Sequence, residues 1–180
     1  MLKNKRILFE IAHPKHIYQF KPLMEEFDNN NEIKIIARDK ELVFDLLKKL
    51  DMRYTKYGYH GKNIFTKIFI ALPMILFSYI KIIMEFKPNI IISRSSHYSL
   101  IMSKLFNIKC IVFPDVDNHQ VVIKYLVGPF SDLVITPCYF RNNFGRHHYY
   151  LDGFFEETYL SHLVLSPTKK DIKSIDSSSN

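Results

Sequence analysis

The side chains best suited to chemistry are two histidines, His13 and His16, which follow the first apolar run, ILFEI at residues 7–11. An imidazole takes or gives a proton near neutral pH, so we predict His13 as a catalytic acid or base. His16 falls in the first turn of a predicted helix, where free N–H groups favour an anion, so we predict that it binds substrate. The alternatives are that His13 only hydrogen-bonds the backbone and that His16 is simply solvated.

Two carboxylates, Asp115 and Asp117, follow a later apolar run at residues 109–113. In an open parallel sheet, ligands bind beyond the carboxyl ends of the strands, and we expect both acids at such a place. A carboxylate there can act as a base towards a substrate hydroxyl or the hydrogen beside it. We predict Asp115 and Asp117 as catalytic, and the alternative is that they cap the next helix.

Two turns carry groups suited to a phosphate. Residues 94–97, RSSH, follow a predicted strand and can hold an anion, although Ser95 or Ser96 is also a good helix N-cap. At residues 60–62, HGK, a glycine lets the backbone approach a ligand beside a histidine and a lysine. The predicted substrate-binding residues are His16, His60, Lys62, Arg94, Ser95, Ser96, His97 and His119.

We predict neither a metal site nor a cofactor. His147 and His148 lack the Cys, Asp or spaced His partners that zinc needs, and the pairing of His119 with Asp115 is too small a set. The turn after residues 7–11 has no glycine, so it does not match the dinucleotide-binding pattern.

Alternating strand and helix patterns must position these residues. Between the apolar runs lie amphipathic patterns, one of them behind Asp39 as its expected N-cap. The alternation predicts a Rossmann-like α/β fold, a parallel sheet with helices on both faces. The predicted strands are residues 6–12, 33–37, 53–57, 89–93, 109–113 and 132–136, with a weaker one at 147–151.

The composition indicates one domain with an anionic partner. The 180 residues are 47% hydrophobic, and we expect a folded domain at 1–160 and a linker or disordered tail at 161–180. The net charge of +7 favours a nucleotide, a phospholipid surface or a nucleic acid, but the 25 Lys and Arg are scattered, so we predict no nucleic acid. The two cysteines, Cys110 and Cys138, fit a reducing cytosol.

The segment at residues 64–84 is unusually apolar, with Lys67 and Lys81 as its only charges. Pro73 is expected to split or kink it, and its uncharged core is shorter than the ~20 residues that span a membrane. One interpretation is a crossover helix packed on the sheet. The other is an interfacial element whose lysines reach the phosphates of an anionic membrane. In that case we expect a cytoplasmic protein that is peripheral on the inner face of the membrane.

Short motifs in a fixed order resemble the DUF354 family, whose members are similar to UDP-N-acetylglucosamine 2-epimerases and GT-B glycosyltransferases. The similarity covers residues 5–160. The motifs are HPKH at 13–16, FKPL at 20–23, ARDK at 37–40, YHGK at 59–62, FKPN at 86–89, SSH at 95–97, DVD at 115–117, PF at 129–130 and TP at 136–137.

The resemblance implies a GT-B architecture, in which two Rossmann-like domains face each other across a cleft. The N-terminal domain holds the acceptor or the reacting sugar, and the other holds most of the nucleotide. The chain is then expected to be the N-terminal half, with the second domain absent or supplied by a partner chain. Glycosyl transfer and epimerisation of a nucleotide sugar, in cell-surface polysaccharide or glycolipid synthesis, both stay open. So does a non-catalytic, membrane-docking subunit that recruits a donor-binding partner.

Overall fold

Seven strands form a single sheet in which every neighbouring pair is parallel. The computed structural model describes residues 2–38, 40, 42–58, 71–114, 127–155 and 157. All seven predicted strands are present, including the weak one. In chain order they are β1 Arg6–Ile11, β2 Glu32–Ala37, β3 Thr55–Lys56, β4 Ile90–Ser93, β5 Lys109–Val112, β6 Leu133–Pro137 and β7 His148–Leu151.

Helices cover both faces of the sheet. Side chains alternate along β1, so Phe9 packs with α1 and α2 on one face, whereas Leu8 packs with α3 and α4 on the other. The predicted Rossmann-like architecture with helices on both faces is therefore confirmed. The helices are α1 Pro14–Asp28, α2 Val43–Lys49, α3 Leu72–Phe86, α4 His97–Leu105 and the short α5 Gly128–Phe130.

Two local expectations concern how helices begin. The predicted cap of α2 is wrong, because this helix begins at Val43 with Leu42, not Asp39, at the N-cap position. Pro73 lies in the first turn of α3, where a missing N–H breaks no bond within the helix. Residues 64–70 of the apolar segment lie outside the described residues.

The two faces of α3 differ sharply. Ile75 and Tyr79 are buried against the sheet, as expected of a crossover helix. On the opposite side Phe77, Met84 and Met74 are 73%, 59% and 49% exposed. Within the described ranges, no helix is long and apolar enough to cross a membrane.

Both cysteines are free thiols, as the composition predicts for a protein without disulfides. Cys110 is buried in β5, and burial raises the pKa of its thiol to about 12. Cys138 is exposed just after β6.

Strand order runs β3-β2-β1-β4-β5-β6-β7, so β1 lies between β2 and β4. The chain moves outwards from β1 to β3 and then crosses back to β4, which makes the β1/β4 boundary the topological switch point. Arg6 and Asn89 fix this pairing at the amino end. The Arg6 N–H donates to Asn89 Oδ1 at 2.8 Å, and the Asn89 N–H donates to the Arg6 carbonyl at 2.8 Å.

Candidate functional site

The turns that follow β1 and β4 lie at the carboxyl edge of the sheet, beside the switch point. Phe9 is paired with Ile92, so the two neighbouring strands end at the same edge. Crevices of this kind are the usual ligand sites of open α/β sheets. The turn after β1 carries His13, and the turn after β4 leads into His97.

His13 is the N-cap of α1. Its backbone is extended, and its Nδ1 accepts a hydrogen bond from the Lys15 N–H at 3.3 Å. A neutral imidazole that accepts at Nδ1 carries its proton on Nε2. The backbone role expected as the alternative is therefore present.

His16 is buried, with 8% of its surface exposed, so the expectation of a merely solvated residue is wrong. Its Nδ1 accepts from the Ala12 N–H at 3.3 Å, across the β1–α1 turn. The His13 and His16 rings have centroids 5.9 Å apart. The turn thus presents two adjacent imidazoles, each held through Nδ1 by a backbone N–H.

Glu10, for which the sequence predicts no role, is the most connected polar side chain of the described site. It lies near the end of β1, faces α3 and α4, and is only 1% exposed. Its Oε1 accepts from the hydroxyls of Tyr57 and Ser96, the latter at 2.7 Å. Its Oε2 accepts from Ser99 and, at 3.4 Å, from Tyr79. Four hydroxyl donors thus surround one buried carboxylate.

The two tyrosines remain protonated donors to this carboxylate. Burial raises the pKa of Tyr57 and of Tyr79 well above the ordinary range, and the negative charge of Glu10 raises both further. The Tyr79 hydroxyl also shares a hydrogen bond of 2.9 Å with Ser99. The network therefore joins β1, α3, α4 and the segment that follows β3.

Ser96 occupies the N-cap position of α4, as one of the two candidate caps, but its hydroxyl makes no capping hydrogen bond. An N-cap hydroxyl ordinarily accepts from the N–H of the second or third helical residue. Here the hydroxyl donates to Glu10 instead. Ser95, next to it, has a left-handed backbone with φ 57°, which is uncommon for a residue with a side chain.

Glu10 and Arg38 both lie within electrostatic reach of His97. Burial lowers the pKa of His97, the charge of Glu10 opposes that shift, and the charge of Arg38 adds to it. The His97 ring contacts the Tyr98 ring with centroids 4.0 Å apart, and the Arg38 guanidinium lies 5.6 Å from the centroid of Tyr98. An anion, two cationic or basic groups and an aromatic face therefore share this part of the edge.

Several polar atoms near these turns are buried without a hydrogen bond. Within the described ranges they include Ser93 Oγ, Ser95 Oγ and Arg38 Nε. Buried polar groups usually have a partner, so these atoms are exceptions among the polar groups near the site. Arg94 lies against the Phe155 ring, with its guanidinium carbon 5.0 Å from the ring centroid.

The structure brings His13 and His16 together in one turn and Arg94, Ser95, Ser96 and His97 in another. His60, Lys62, Asp115, Asp117 and His119 lie outside the described residues, so their roles stay predictions. Sequence reasoning missed Glu10 and Arg38. The available signal for Glu10 was a lone acid between Phe9 and Ile11 in an otherwise apolar strand.

The histidines beyond this site have local partners. His148 Nδ1 accepts from the Phe144 N–H at 3.3 Å, and its Nε2 lies 2.7 Å from Thr136 Oγ1. Burial lowers the pKa of His148. In the part of the chain that the structure describes, no three His, Cys, Asp or Glu residues are grouped as a metal site requires.

Solved structures that are similar in fold include glycosyltransferases and UDP-GlcNAc 2-epimerases. MurG from Acinetobacter baumannii matches 82% of this chain and 45% of its own length, with a TM-score of 0.65 and 10% identity. The spinosyn forosaminyltransferase SpnP matches 83% of this chain and 50% of its own, with a TM-score of 0.61 and 8% identity. The UDP-GlcNAc 2-epimerase from Neisseria meningitidis, bound to UDP-GlcNAc, matches 73% and 40%, with a TM-score of 0.55 and 12% identity.

The chain has the Rossmann-like fold of GT-B glycosyltransferases and UDP-GlcNAc 2-epimerases. At such identities the likeness shows the fold alone, and the chain spans only about 40–50% of the length of these proteins. No protein-family model and no curated protein sequence matches the chain, so the DUF354 resemblance stays a prediction.

Proposed function

We propose that this chain is the acceptor- or sugar-binding half of a nucleotide-sugar enzyme, either GT-B glycosyltransferase-like or 2-epimerase-like, in cell-surface polysaccharide or glycolipid synthesis. One observation carries the proposal. The turn with His13 and His16 and the turn with Ser96 and His97 lie side by side at the switch point, in a fold shared with such enzymes. The substrate class comes from the epimerase that was solved with UDP-GlcNAc.

The histidine geometry favours proton donation to the substrate. His13 and His16 both accept at Nδ1, so the proton of each neutral ring lies on Nε2. We assign the general base to Asp115 or Asp117 and phosphate contacts to Arg94, Ser95, His60, Lys62 and His119. Transfer needs one base on the acceptor hydroxyl, whereas epimerisation needs acid and base on both sides of a sugar carbon.

A second Rossmann-like half completes the proposed catalytic unit. The support is that solved relatives by fold are about twice as long as the matched region. We therefore expect the 180-residue chain alone to show little turnover and weak nucleotide binding. Robust turnover of UDP-sugars by the purified chain would contradict this part of the proposal.

An NMR titration of the chain with millimolar UDP-GlcNAc tests the site. We expect shifts at His13, His16 and residues 94–98, and we expect the His16→Ala variant to lose them. The His147→Ala variant is the matched control, because His147 is exposed and lies away from this edge. Shifts confined to other surfaces, or none at all, would reject the proposed site.

The second candidate function is that of a non-catalytic subunit, which docks on an anionic membrane and recruits a donor-binding partner. In this proposal the protein is cytoplasmic and peripheral on the inner face of the membrane. The observation that favours it is the exposed apolar side of α3, with Phe77 and Met84 outward and Lys81 beside them. Apolar side chains with neighbouring lysines are typical of interfacial helices.

A further inference from the structure

Glu10 is a buried acid that the proposed chemistry does not use. A carboxylate at a core position is costly to desolvate, and an apolar side chain there often supports folding equally well. Glu10 is nevertheless 1% exposed in the middle of the sheet. Such a group is retained either because its hydrogen bonds stabilise the fold or because it fixes the geometry of the neighbouring candidate site.

The hydrogen-bond partners of Glu10 distinguish the structural role from the positioning role. Tyr57 and Tyr79 hold the carboxylate from the body of the domain. Ser96 and Ser99 instead belong to the start of α4, at the carboxyl edge. Each oxygen of Glu10 thus accepts one donor from the domain body and one from the first turns of α4.

The turn that Glu10 holds is strained. Ser95 adopts a left-handed backbone with φ 57° immediately before Ser96. A non-glycine residue in this region is strained and persists only where its surroundings enforce it. The hydrogen bond from Ser96 to Glu10, at 2.7 Å, is an adjacent constraint that meets this need.

The same carboxylate acts on His97. This ring is acted on by Glu10 from β1, by Arg38 just after β2 and by the tilted Tyr98 ring of its own helix. Glu10 is the negative charge among them, and it favours the imidazolium against burial and Arg38.

We infer that Glu10 is a positioning residue, whose carboxylate clamps Ser96 and Ser99 and thereby holds the strained Ser95 turn and His97 in place for the ligand. The clamp is an observed geometry, whereas its purpose rests on the proposed function. Glu10 itself does not contact the ligand in this scheme.

The first test measures the pKa of His97 by NMR in the 180-residue chain and in its Glu10→Gln variant. Loss of the negative charge from an intact turn lowers this pKa further, because burial and Arg38 still act on the ring. A rise towards the ordinary value means that the ring has become exposed because the turn lost its clamp. An unchanged value overturns the inference. Glu25→Gln, at an exposed site on α1, is the control that leaves His97 unchanged.

The second test removes one donor to Oε1 at a time. Ser96→Ala releases the turn, so we expect amide shifts at residues 95–98 and about tenfold weaker UDP-GlcNAc binding, equivalent to one hydrogen bond. Tyr57→Phe also removes a hydroxyl from Glu10 but leaves the turn clamped, and Ser96→Thr restores the donor. Equal effects of Ser96→Ala and Tyr57→Phe on the turn overturn the inference.

These readouts separate the two proposals. If the wild-type chain does not bind UDP-GlcNAc at all, the proposed function fails. The pKa of His97 and the amide shifts at residues 95–98 still decide whether Glu10 clamps the turn.

Discussion

The hydroxyls of Tyr79 and Ser99 share a hydrogen bond of 2.9 Å, which joins α3 to α4 directly behind the Glu10 carboxylate. Both residues are fully buried. The contact links the packed face of α3, which holds no predicted catalytic or binding residue, to α4, which begins at the candidate site.

Tyr79→Phe removes this link, and with it the hydroxyl that lies 3.4 Å from Glu10 Oε2, without leaving a cavity. A net hydrogen bond contributes about 1 kcal/mol, so we expect the free energy of unfolding to fall by about 1–2 kcal/mol because the buried Ser99 hydroxyl loses this contact. Urea denaturation measures the change. Tyr149→Phe, at a side chain that is 61% exposed, should change stability by less than about 0.5 kcal/mol. Equal losses in the two variants would show that the buried hydroxyl contributes nothing specific.

His13 has a capping role and a proposed chemical role, which two substitutions separate. His13→Ala removes the N-cap acceptor of α1 and should cost about 1 kcal/mol of stability. His13→Asn keeps an acceptor, so we expect nearly normal thermal stability. In the complete enzyme the Asn variant should still lose turnover by ~10²–10⁴-fold, as for a missing general acid or base. Normal turnover of this variant would reduce His13 to a cap.

Asp115→Ala is the corresponding test of the proposed base. In the complete enzyme we expect turnover to fall by ~10²–10⁴-fold with little change in melting temperature. A large loss of stability with unchanged kinetics would support a helix cap instead. Steady-state kinetics and a thermal melt on the same preparation distinguish the two.

Stability should fall at acidic pH through Asp132. Burial tends to raise its pKa, but hydrogen bonds from the Cys110 N–H and from Lys109 Nζ, both 2.9 Å, outweigh burial and lower the pKa. The folded state therefore favours the carboxylate, and this stabilisation is complete above the unfolded pKa of about 4 and lost as the pH falls through the folded pKa. Asp132→Asn should flatten the acid limb of a stability–pH curve, whereas the exposed Asp152→Asn should leave it unchanged.

Gly58 is irreplaceable for two separable reasons. Its φ is +66°, and a Cβ there would collide with the Ile75 side chain of α3. Gly145 has φ +93°, but a Cβ at this position would stand in open space, with no other atom within 4 Å. Gly145→Ala should therefore cost about 1–2 kcal/mol from backbone strain alone, and Gly58→Ala about 3 kcal/mol or more. If denaturant titrations show similar losses of unfolding free energy for the two variants, the collision with Ile75 contributes nothing.

The exposed side of α3 should bind anionic vesicles. Each surface lysine contributes ~1 kcal/mol with anionic lipid, so lysine alone is too weak and the apolar side chains must insert. In co-sedimentation, we expect wild type to prefer anionic over neutral vesicles and to bind less at high salt. Phe77→Ser with Lys81→Glu should reduce binding, and Phe154→Ser, at a similarly exposed ring elsewhere, should not. Unchanged binding of the double variant would leave α3 as a crossover helix only.

The central strands were predictable because buried parallel strands need continuous apolar runs, as in β4, whereas the partly exposed edge strand β7 carries a weaker signal. The start of α2 was not predictable, because the preference of Asp39 for an N-cap position is weak and tertiary structure outweighs it. The histidine turn was visible in sequence because both residues follow β1 directly. The role of Glu10 could not be predicted, because its hydroxyl partners lie between 47 and 89 residues away in sequence and no local pattern connects them.

The reciprocal hydrogen bonds between Arg6 and Asn89 span 83 residues of chain. The central strand therefore gains its second neighbour only after β4, Ile90–Ser93, has been synthesised, and until then one edge of β1 has no partner strand. Folding rates fall as contacts become less local, so closure of this pair is a slow step by its topology. Until β4 arrives, the nascent three-stranded unit exposes an apolar edge, and this interval is when chaperone binding or misassembly competes with folding.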